Sequence, residues 1–265
     1  MTENGTLVLR ETRGLVGILT LNRPAARNCL SEELIAALHQ AVLEYGASDE
    51  VRAIVLTGAG SAFSSGHDLK ELTARRNDRD RGRAFYTQTM AACSAMMLAI
   101  VRCPKPVIAA VNGIATAAGC QLVASCDLAV ASTDARFATP GVNIGLFCST
   151  PMVALSRNLS RKASMEMLLL GDMVGANDAK TLGLVNRVTA PDRTLNEAVE
   201  LGRIIASKPK MTLKFGKEAF YRQLEMPLDD AYAFTSAVMV ENMLHDEAEE
   251  GIGAFLDKRD PQWPE

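Results

Sequence analysis

The chain has 265 residues, of which 48% are hydrophobic and 22% are charged, as in a globular protein with one large domain or a domain and a small appendage. Its net charge of −3 argues against a nucleic-acid partner, because such binders need a basic face. No apolar run approaches the roughly 18 residues that span a bilayer, so we expect no membrane partner. Residues 1–6 have neither the basic start nor the apolar core of a secretory signal.

The cysteines lie mostly within apolar stretches and show no C-x-x-C spacing; they are Cys29, Cys93, Cys103, Cys120, Cys126 and Cys148. This pattern predicts buried, reduced thiols and no metal site. Reduced thiols and the lack of a secretory signal predict a cytoplasmic location.

Strands and helices alternate along the first part of the chain. Residues 6–12 and 15–21 predict an antiparallel hairpin. Ser31 is a suitable N-cap for a helix that ends near Gly46. The apolar run at residues 53–57 predicts a buried strand.

The same order then recurs. We expect a helix over residues 84–101, a strand over 107–111, a short helix after Gly119 and a strand over 128–131. Strands that alternate with helices need crossover connections, which predicts the α/β class.

Beyond about Ser207 the strand signals stop, and residues 213–256 predict amphipathic helices. We therefore expect a core over residues 1–200 and a helical region over 201–265 that is suited to association between subunits. The charge-dense stretch 74–83 predicts a solvated, mobile loop, with a rim that attracts phosphates as the alternative.

Several common catalytic motifs are missing from the sequence. It contains no G-x-G-x-x-G after a strand, no P-loop, no H-E-x-x-H and no G-x-S-x-G. His39 and His245 lie within helical patterns and are expected at the surface or in packing. A Rossmann dehydrogenase, an NTPase and a serine hydrolase are therefore disfavoured.

Two glycine turns, at residues 62–72 and 112–122, each follow a predicted buried strand. Small residues let a backbone approach a ligand closely, and a helix that begins after a turn has free N–H groups. Two such turns facing each other can offer two N–H donors to one carbonyl oxygen, which is an oxyanion hole. The alternative is that the small residues serve only packing.

Both turns and their surroundings resemble the crotonase (enoyl-CoA hydratase/isomerase) family. The similar segments are residues 21–28, 64–72, 106–121, 137–145 and 250–261. Within the family, the amino-acid sequence of the two turns is most similar to that of the branch called enoyl-CoA hydratase domain-containing protein 3. The resemblance implies an α/β fold, the crotonase-like ββα spiral with a C-terminal helical region.

The resemblance also implies roles for particular residues. The backbone N–H groups of His67 and Ala118 would form the oxyanion hole. The remaining residues would bind the CoA part of the substrate, with the last two acting on a neighbouring subunit; they are Ala25, Ala26, Ser65, Asp68, Leu69, Lys70, Phe255 and Lys258. For Phe255, simple helix packing is the alternative.

Two positions depart from the family pattern. Hydratases of the family use two glutamates, which correspond to Gln121 and Gly141 here. An amide does not exchange protons near neutral pH, and glycine has no side chain, so efficient hydration of enoyl-CoA is not expected. Asn143 and Cys148 are further polar groups near the expected pocket, but neither is a convincing base.

The resemblance therefore predicts an enzyme that acts on an acyl-CoA thioester and stabilises its enolate, with a reaction of the hydratase or isomerase kind. A non-catalytic acyl-CoA-binding or regulatory protein is the alternative. No tightly bound cofactor is expected, since coenzyme A is part of the substrate. The family further implies a homo-oligomer, a trimer or a hexamer.

Overall fold

The computed structural model describes residues 5–264, so the expectation about residues 1–6 falls mostly outside the described residues. The strands are β1 (Val8–Arg13), β2 (Val16–Leu21), β3 (Ala53–Gly58), β4 (Ala62–Ser64), β5 (Val107–Val111), β6 (Ile114–Thr116), β7 (Leu128–Ser132), β8 (Arg136–Ala138), β9 (Val174–Gly175) and β10 (Arg187–Thr189). The α-helices are α1 (Glu32–Ala47), α2 (Leu69–Ala74), α3 (Arg83–Val101), α4 (Ala118–Ser125), α5 (Ser149–Asn158), α6 (Arg161–Leu170), α7 (Ala176–Leu182), α8 (Thr194–Ala206), α9 (Lys210–Gln223), α10 (Leu228–Met243) and α11 (Asp246–Asp257).

The strands form two sheets that share the turns of one spiral. The larger sheet has the order β1-β2-β3-β5-β7-β10, and the smaller has the order β4-β6-β8-β9. The chain passes from β3 to β4, from β5 to β6 and from β7 to β8, so each turn of the spiral adds one strand to each sheet. The expected α/β fold with a ββα spiral is confirmed.

Helices cover the larger sheet on both faces, because successive side chains of a strand point in opposite directions. In β3, Ile54 and Leu56 join the main core, which α1, α3 and α4 also line. Val55 points the other way and packs with Ala198 and Val199 of α8. Strands buried on both faces read as continuous apolar runs, which is why the sequence predicted β3 and β5 well.

Helix α1 begins as the sequence predicted. The Ser31 side chain accepts a hydrogen bond from the Leu34 N–H at 3.2 Å, as an N-cap does. Its end is displaced by one residue, since Gly46 is still helical and the helix ends at Ala47.

Helix α3 departs from the expectation that no stretch is apolar and long enough to cross a bilayer. It has 19 residues, its most apolar window has a mean hydropathy of 1.4, and 28% of that window is buried. Cys93, Met96 and Ile100 on one side of α3 are buried in the main core. Because core helices of soluble proteins meet the same length and composition limits, the helix is weak evidence for a membrane span.

The charged stretch 74–83 is not a continuous loop. Ala74 closes α2, and Arg75–Asn77 form a 3-10 helix. The Arg75 guanidinium carbon lies 4.8 Å from the centre of the Phe85 ring. Local helical hydrogen bonds therefore order the first part of a segment whose composition predicted a loop.

The helical tail is joined to the core by a partly buried ion pair. Lys217 of α9 donates to Asp127 Oδ2 at 2.7 Å and to the carbonyls of Ile100 and Lys105 at 3.1 and 2.9 Å. Tyr221 donates to Asp127 Oδ1 at 2.8 Å. These contacts connect α9 to the segments on either side of β5.

The expected boundary at residue 200 falls inside α8. This helix packs on the larger sheet, so it belongs with the core, and the helices beyond the sheet begin with α9 at Lys210. The division into a core and an association region stays a prediction.

We predict that Lys217→Met lowers the free energy of unfolding by about 3 kcal/mol, because the variant leaves the partly buried Asp127 carboxylate without its cation. Urea denaturation at fixed protein concentration measures this change. Lys210→Met is the matched control, since its partner Asp49 has a side chain 91% exposed and the pair is solvated. Equal effects of the two variants would contradict the role given to Lys217.

Candidate functional site

The first glycine turn connects β4 to α2 and is held by a helix cap. The Asp68 carboxylate accepts hydrogen bonds from Lys70 N and Glu71 N at 3.1 and 3.3 Å. It also accepts from Arg23 at 3.2 Å and from the Cys29 thiol at 3.2 Å. Burial favours the neutral acid, but these hydrogen bonds outweigh it and hold the pKa of Asp68 below its ordinary value. Asp68, expected at the CoA site, thus has a structural role here.

The backbone of the same turn pairs with the segment before α1. Leu30 N donates to the Gly66 carbonyl at 2.8 Å, and Asp68 N donates to the Leu30 carbonyl at 3.2 Å. In this parallel bridge the N–H of the intervening residue, His67, points away from Leu30. Among the described residues the His67 N–H has no hydrogen-bond acceptor.

The second glycine turn connects β6 to α4 through a residue in an unusual conformation. Ala117 has φ 50° and ψ −119°, a left-handed backbone that costs an alanine about 1–3 kcal/mol. Its N–H donates to the Ala138 carbonyl at 2.9 Å. Ala118 follows as the first residue of α4, where a helix provides no acceptor, and its N–H has none among the described residues.

The two turns lie in direct backbone contact. A β-carbon added to Gly66 would lie 2.9 Å from Ala117 Cβ and 3.2 Å from Ala118 N. Gly66 also has φ 89°, which favours glycine. A β-carbon added to Gly119 would collide with the Ser64 carbonyl. Because Gly66 and Gly119 have no side chains, the two turns approach closely, which brings the backbone of His67 near that of Ala118.

Gln121 lies one turn into α4 and is 5% exposed. Side chains on a helix tilt towards its N-terminus, which directs the Gln121 side chain towards the turn before α4. Its Oε1 is buried and has no hydrogen-bond partner among the described residues. A buried amide oxygen without a partner is unusual in proteins.

At Gly141 the space for a side chain is already filled. An added β-carbon would lie 2.5 Å from the Leu146 carbonyl oxygen and 2.9 Å from Cys148 Sγ. The Leu146 N–H donates to the Gly141 carbonyl at 2.9 Å, which holds this short segment in place. A longer side chain at position 141 therefore requires the backbone of residues 145–148 to move.

The imidazole of His67 is the group that the sequence analysis overlooked. Both ring nitrogens are buried and have no hydrogen-bond partner among the described residues. Burial lowers the pKa of His67, and the nearby Leu30 backbone offsets only part of the shift. The ring is therefore neutral at pH 7. A titratable residue between the glycine and the aspartate of an oxyanion turn was the available signal.

The cysteine thiols are poorly suited to proton transfer. Burial raises the pKa of the Cys148 thiol, so it stays protonated near neutral pH. Burial and the hydrogen bond to Asp68 raise the pKa of Cys29 to about 11. All the cysteines are free, and within residues 5–264 no three His, Cys, Asp or Glu side chains form a metal-binding group.

The residues expected to bind CoA lie in two places. Ala25 is exposed and Ala26 half-buried in a short 3-10 helix, and the adjoining Arg27 carbonyl accepts from Ser65 N at 3.0 Å. Leu69 and Lys70 are exposed at the start of α2. This first group therefore surrounds the first glycine turn.

Phe255 and Lys258 lie apart from the first group, at the end of α11, which packs against α9 and α10. The Phe255 side chain is 81% exposed, so it does not pack within its own chain.

The chain is similar to known proteins of one family. A model of the family described as enoyl-CoA hydratase/isomerase matches residues 11–265. The chain belongs to this family. Family members act on CoA thioesters, and the match confirms the resemblance that the sequence showed.

Individual family members match nearly the whole chain in sequence and in structure. The chain is 44% identical to enoyl-CoA hydratase domain-containing protein 3, mitochondrial, of Rattus norvegicus, over 96% of this chain and 84% of that protein. Its sequence is 52% identical to that of an enoyl-CoA hydratase of Mycobacterium smegmatis. The crystal structure of that protein matches with a TM-score of 0.91 over 97% of this chain and 98% of that one. The human domain-containing protein 3 structure is 43% identical with a TM-score of 0.91, over 97% of this chain and 100% of that one.

The comparison overturns the expected cytoplasmic location. The relatives from rat, Xenopus laevis and human are all named as mitochondrial proteins. The expectation rested on reduced thiols and the lack of a secretory signal, and both features are equally compatible with a mitochondrial family member.

We predict that Gly141→Ala lowers the free energy of unfolding by about 2 kcal/mol, because the added carbon forces the Leu146 carbonyl and Cys148 apart. Gly216→Ala is the control, since no atom lies within 4 Å of an added β-carbon there. In helix α9 that change stabilises by up to about 1 kcal/mol. Chemical denaturation of both variants checks the pair, and a neutral Gly141→Ala would contradict the closed space.

Proposed function

We propose that the protein binds an acyl-CoA thioester and holds its carbonyl oxygen between the backbone N–H groups of His67 and Ala118. The observation that carries the proposal is the direct contact of two turns whose N–H groups have no acceptor among the described residues. Donors already aimed at a developing oxyanion need no reorganisation during reaction, and one such donor is worth roughly 10²–10³ in rate.

The positive end of the α4 dipole adds to the same field. Negative charge on the thioester oxygen is therefore stabilised, which favours the enolate of the bound acyl group. Gln121 and Gly141 occupy the positions of the two hydratase glutamates, and neither transfers a proton. The reaction is thus a hydratase- or isomerase-like one in which ordinary hydration is slow.

Coenzyme A would bind along the first glycine turn as part of the substrate. The backbone around Ala25, Ala26, Ser65 and Leu69 would contact the adenine, and Lys70 would pair with a phosphate as a point charge. The exposure of Ala25, Leu69 and Lys70 and the clustering of these residues around one turn support this placement. Asp68 would contribute by keeping the turn in shape.

A homo-oligomer, a trimer or a hexamer, would complete the CoA site. Phe255 and Lys258 would cap the adenine and the 3′-phosphate of a neighbouring subunit. The 81% exposure of an aromatic side chain next to an exposed lysine supports this role. The tail exposes further large apolar side chains, among them Leu228, Tyr232 and Leu244.

A non-catalytic acyl-CoA-binding or regulatory protein remains the second candidate. The closed space at Gly141 favours it, because that site accepts no acid or base without a backbone movement. The two candidates share the binding site and differ only in turnover.

The CoA site is tested by calorimetric titration with crotonyl-CoA. We predict that Lys70→Ala weakens binding about tenfold, because a phosphate loses its charged partner (about 1.4 kcal/mol). Lys180→Ala, an exposed lysine on α7, is the control and leaves the affinity unchanged. If the wild-type protein fails to bind crotonyl-CoA, the proposed function is wrong.

The missing acid–base group is tested by Gln121→Glu. We predict that the variant hydrates crotonyl-CoA about 10²-fold faster than the wild type, the lower end of the range for one positioned acid or base. The gain stays at that end because Gly141 supplies no second group. Gln121→Met is the control of similar volume and stays slow. Wild-type hydration at the rate of ordinary hydratases would contradict the role given to Gln121.

A further inference from the structure

A cluster of arginines follows helix α2, close behind the first glycine turn. Residues 70–83 contain six cationic side chains and three carboxylates, a net charge of +3 in a chain whose net charge is −3. Five of these cations are exposed and form the arginine cluster; they are Arg75, Arg76, Arg79, Arg81 and Arg83. Among the described residues, none of the five forms an ion pair with a carboxylate. The cluster is therefore a region of unneutralised positive charge.

Backbone contacts hold the arginine cluster in a compact shape. The Asp78 N–H donates to the Arg75 carbonyl at 3.1 Å, and the Arg81 N–H donates to the Asp78 carbonyl at 2.8 Å. A β-carbon added to Gly82 would lie 2.9 Å from the Arg75 carbonyl oxygen. Arg81 and Arg83 are bonded to Gly82, so both lie beside Arg75. The charges are thus concentrated at one place on the surface.

Two acidic side chains of the segment accept hydrogen bonds from backbone donors. The Asp80 carboxylate accepts from the N–H groups of Gly82 and Ala84 at 3.0 and 2.8 Å. The Glu71 carboxylate accepts from the Glu32 N–H at 3.0 Å. Like charges that are crowded together repel one another, and a nearby anion relieves this repulsion. The arginine cluster is therefore suited to attract an anionic ligand.

The arginine cluster lies near the proposed CoA site. Helix α2 begins at Leu69 in that site, and Arg75 is six residues further along, which is a rise of about 9 Å. Tyr86 of α3 donates to the Leu72 carbonyl at 3.0 Å, which keeps the start of α3 against α2. The Debye length is about 8 Å at physiological ionic strength and about 30 Å at 0.01 M salt. The field of the cluster therefore reaches the site, most strongly at low ionic strength.

We propose that the arginine cluster attracts the phosphates of coenzyme A through its field and thereby selects CoA thioesters over thioesters with fewer phosphates. The inference rests on the proposed function, since it needs the CoA part of the substrate to lie along the first glycine turn. Coenzyme A carries a charge of about −4 near neutral pH, and the chain carries −3, so their net charges repel. A local cationic region reverses this repulsion at the site. Unlike Lys70, the cluster needs no direct contact with a phosphate.

The experiment is calorimetric titration with crotonyl-CoA at ionic strengths of about 0.01 M and about 0.15 M. The cluster variant carries Arg76→Gln, Arg79→Gln and Arg81→Gln, all at exposed positions. It keeps Arg75, which lies over the Phe85 ring. We expect the variant to bind about tenfold more weakly than the wild type at the lower ionic strength. At the higher ionic strength we expect a loss of less than about threefold, because salt screens the field.

A matched control removes the same charge near the other end of α3. It carries Arg102→Gln, Lys208→Gln and Lys214→Gln, whose side chains are exposed and form no ion pair among the described residues. Helix α3 has 19 residues, so Arg102 lies about 28 Å from Arg83. Lys208 and Lys214 flank the start of α9, which lies beside the loop that follows α3. We expect the control to bind within about threefold of the wild type at both ionic strengths.

The charge of the ligand gives a second readout. Crotonyl-CoA without its 3′-phosphate has about half the negative charge of crotonyl-CoA. We therefore expect the cluster variant to bind this ligand only about threefold more weakly than the wild type at the lower ionic strength. An equal loss for both ligands would overturn the inference, because the arginines would then maintain the shape of the site.

The outcomes separate this inference from the proposed function. If the wild type does not bind crotonyl-CoA at either ionic strength, the proposed function fails, and the inference fails with it. If the wild type binds but the cluster variant keeps its affinity at the lower ionic strength, only the inference is wrong. Equal losses in the cluster variant and the control would also overturn it, since net charge would then decide the affinity. A wild-type affinity that does not change with salt would contradict the long-range attraction.

Discussion

The close backbone contact between the two glycine turns is the constraint on which the site depends. Gly66 lies against Ala117, and Gly119 lies against the Ser64 carbonyl, at distances where no β-carbon fits. Larger residues at either position would push β4 and the start of α4 apart and separate the N–H groups of His67 and Ala118. The strained conformation of Ala117 belongs to the same arrangement, because it turns the chain so that α4 begins at the contact.

The spiral explains why two turns distant in sequence meet at all. Each turn of the chain adds a parallel strand to the larger sheet and then one to the smaller sheet, so equivalent loops fall side by side. The pairing of Leu30 with the first turn adds a third segment to this edge and orients the His67 N–H. Burial of β3 and β5 on both faces keeps this framework rigid.

The site combines an ordinary family scaffold with unusual polar groups. We propose that Gln121 and Gly141 stand where hydratases of the family have glutamates, and the closed space at Gly141 would make the second change hard to reverse. The ring nitrogens of His67 and the Gln121 Oε1 are buried without a hydrogen-bond partner among the described residues. The proposed reaction is therefore one in which addition of water across a double bond is slow.

The sequence by itself determined the α/β class, the Ser31 cap, the buried strands and the family, because apolar runs, caps and glycine turns are local signals. It misjudged the charged stretch 74–83, where helical hydrogen bonds overrule composition. Only the tertiary structure decided that the space at Gly141 is filled and that the ring nitrogens of His67 are buried without a hydrogen-bond partner among the described residues. Both facts depend on atoms from segments far apart in sequence, which no local pattern encodes.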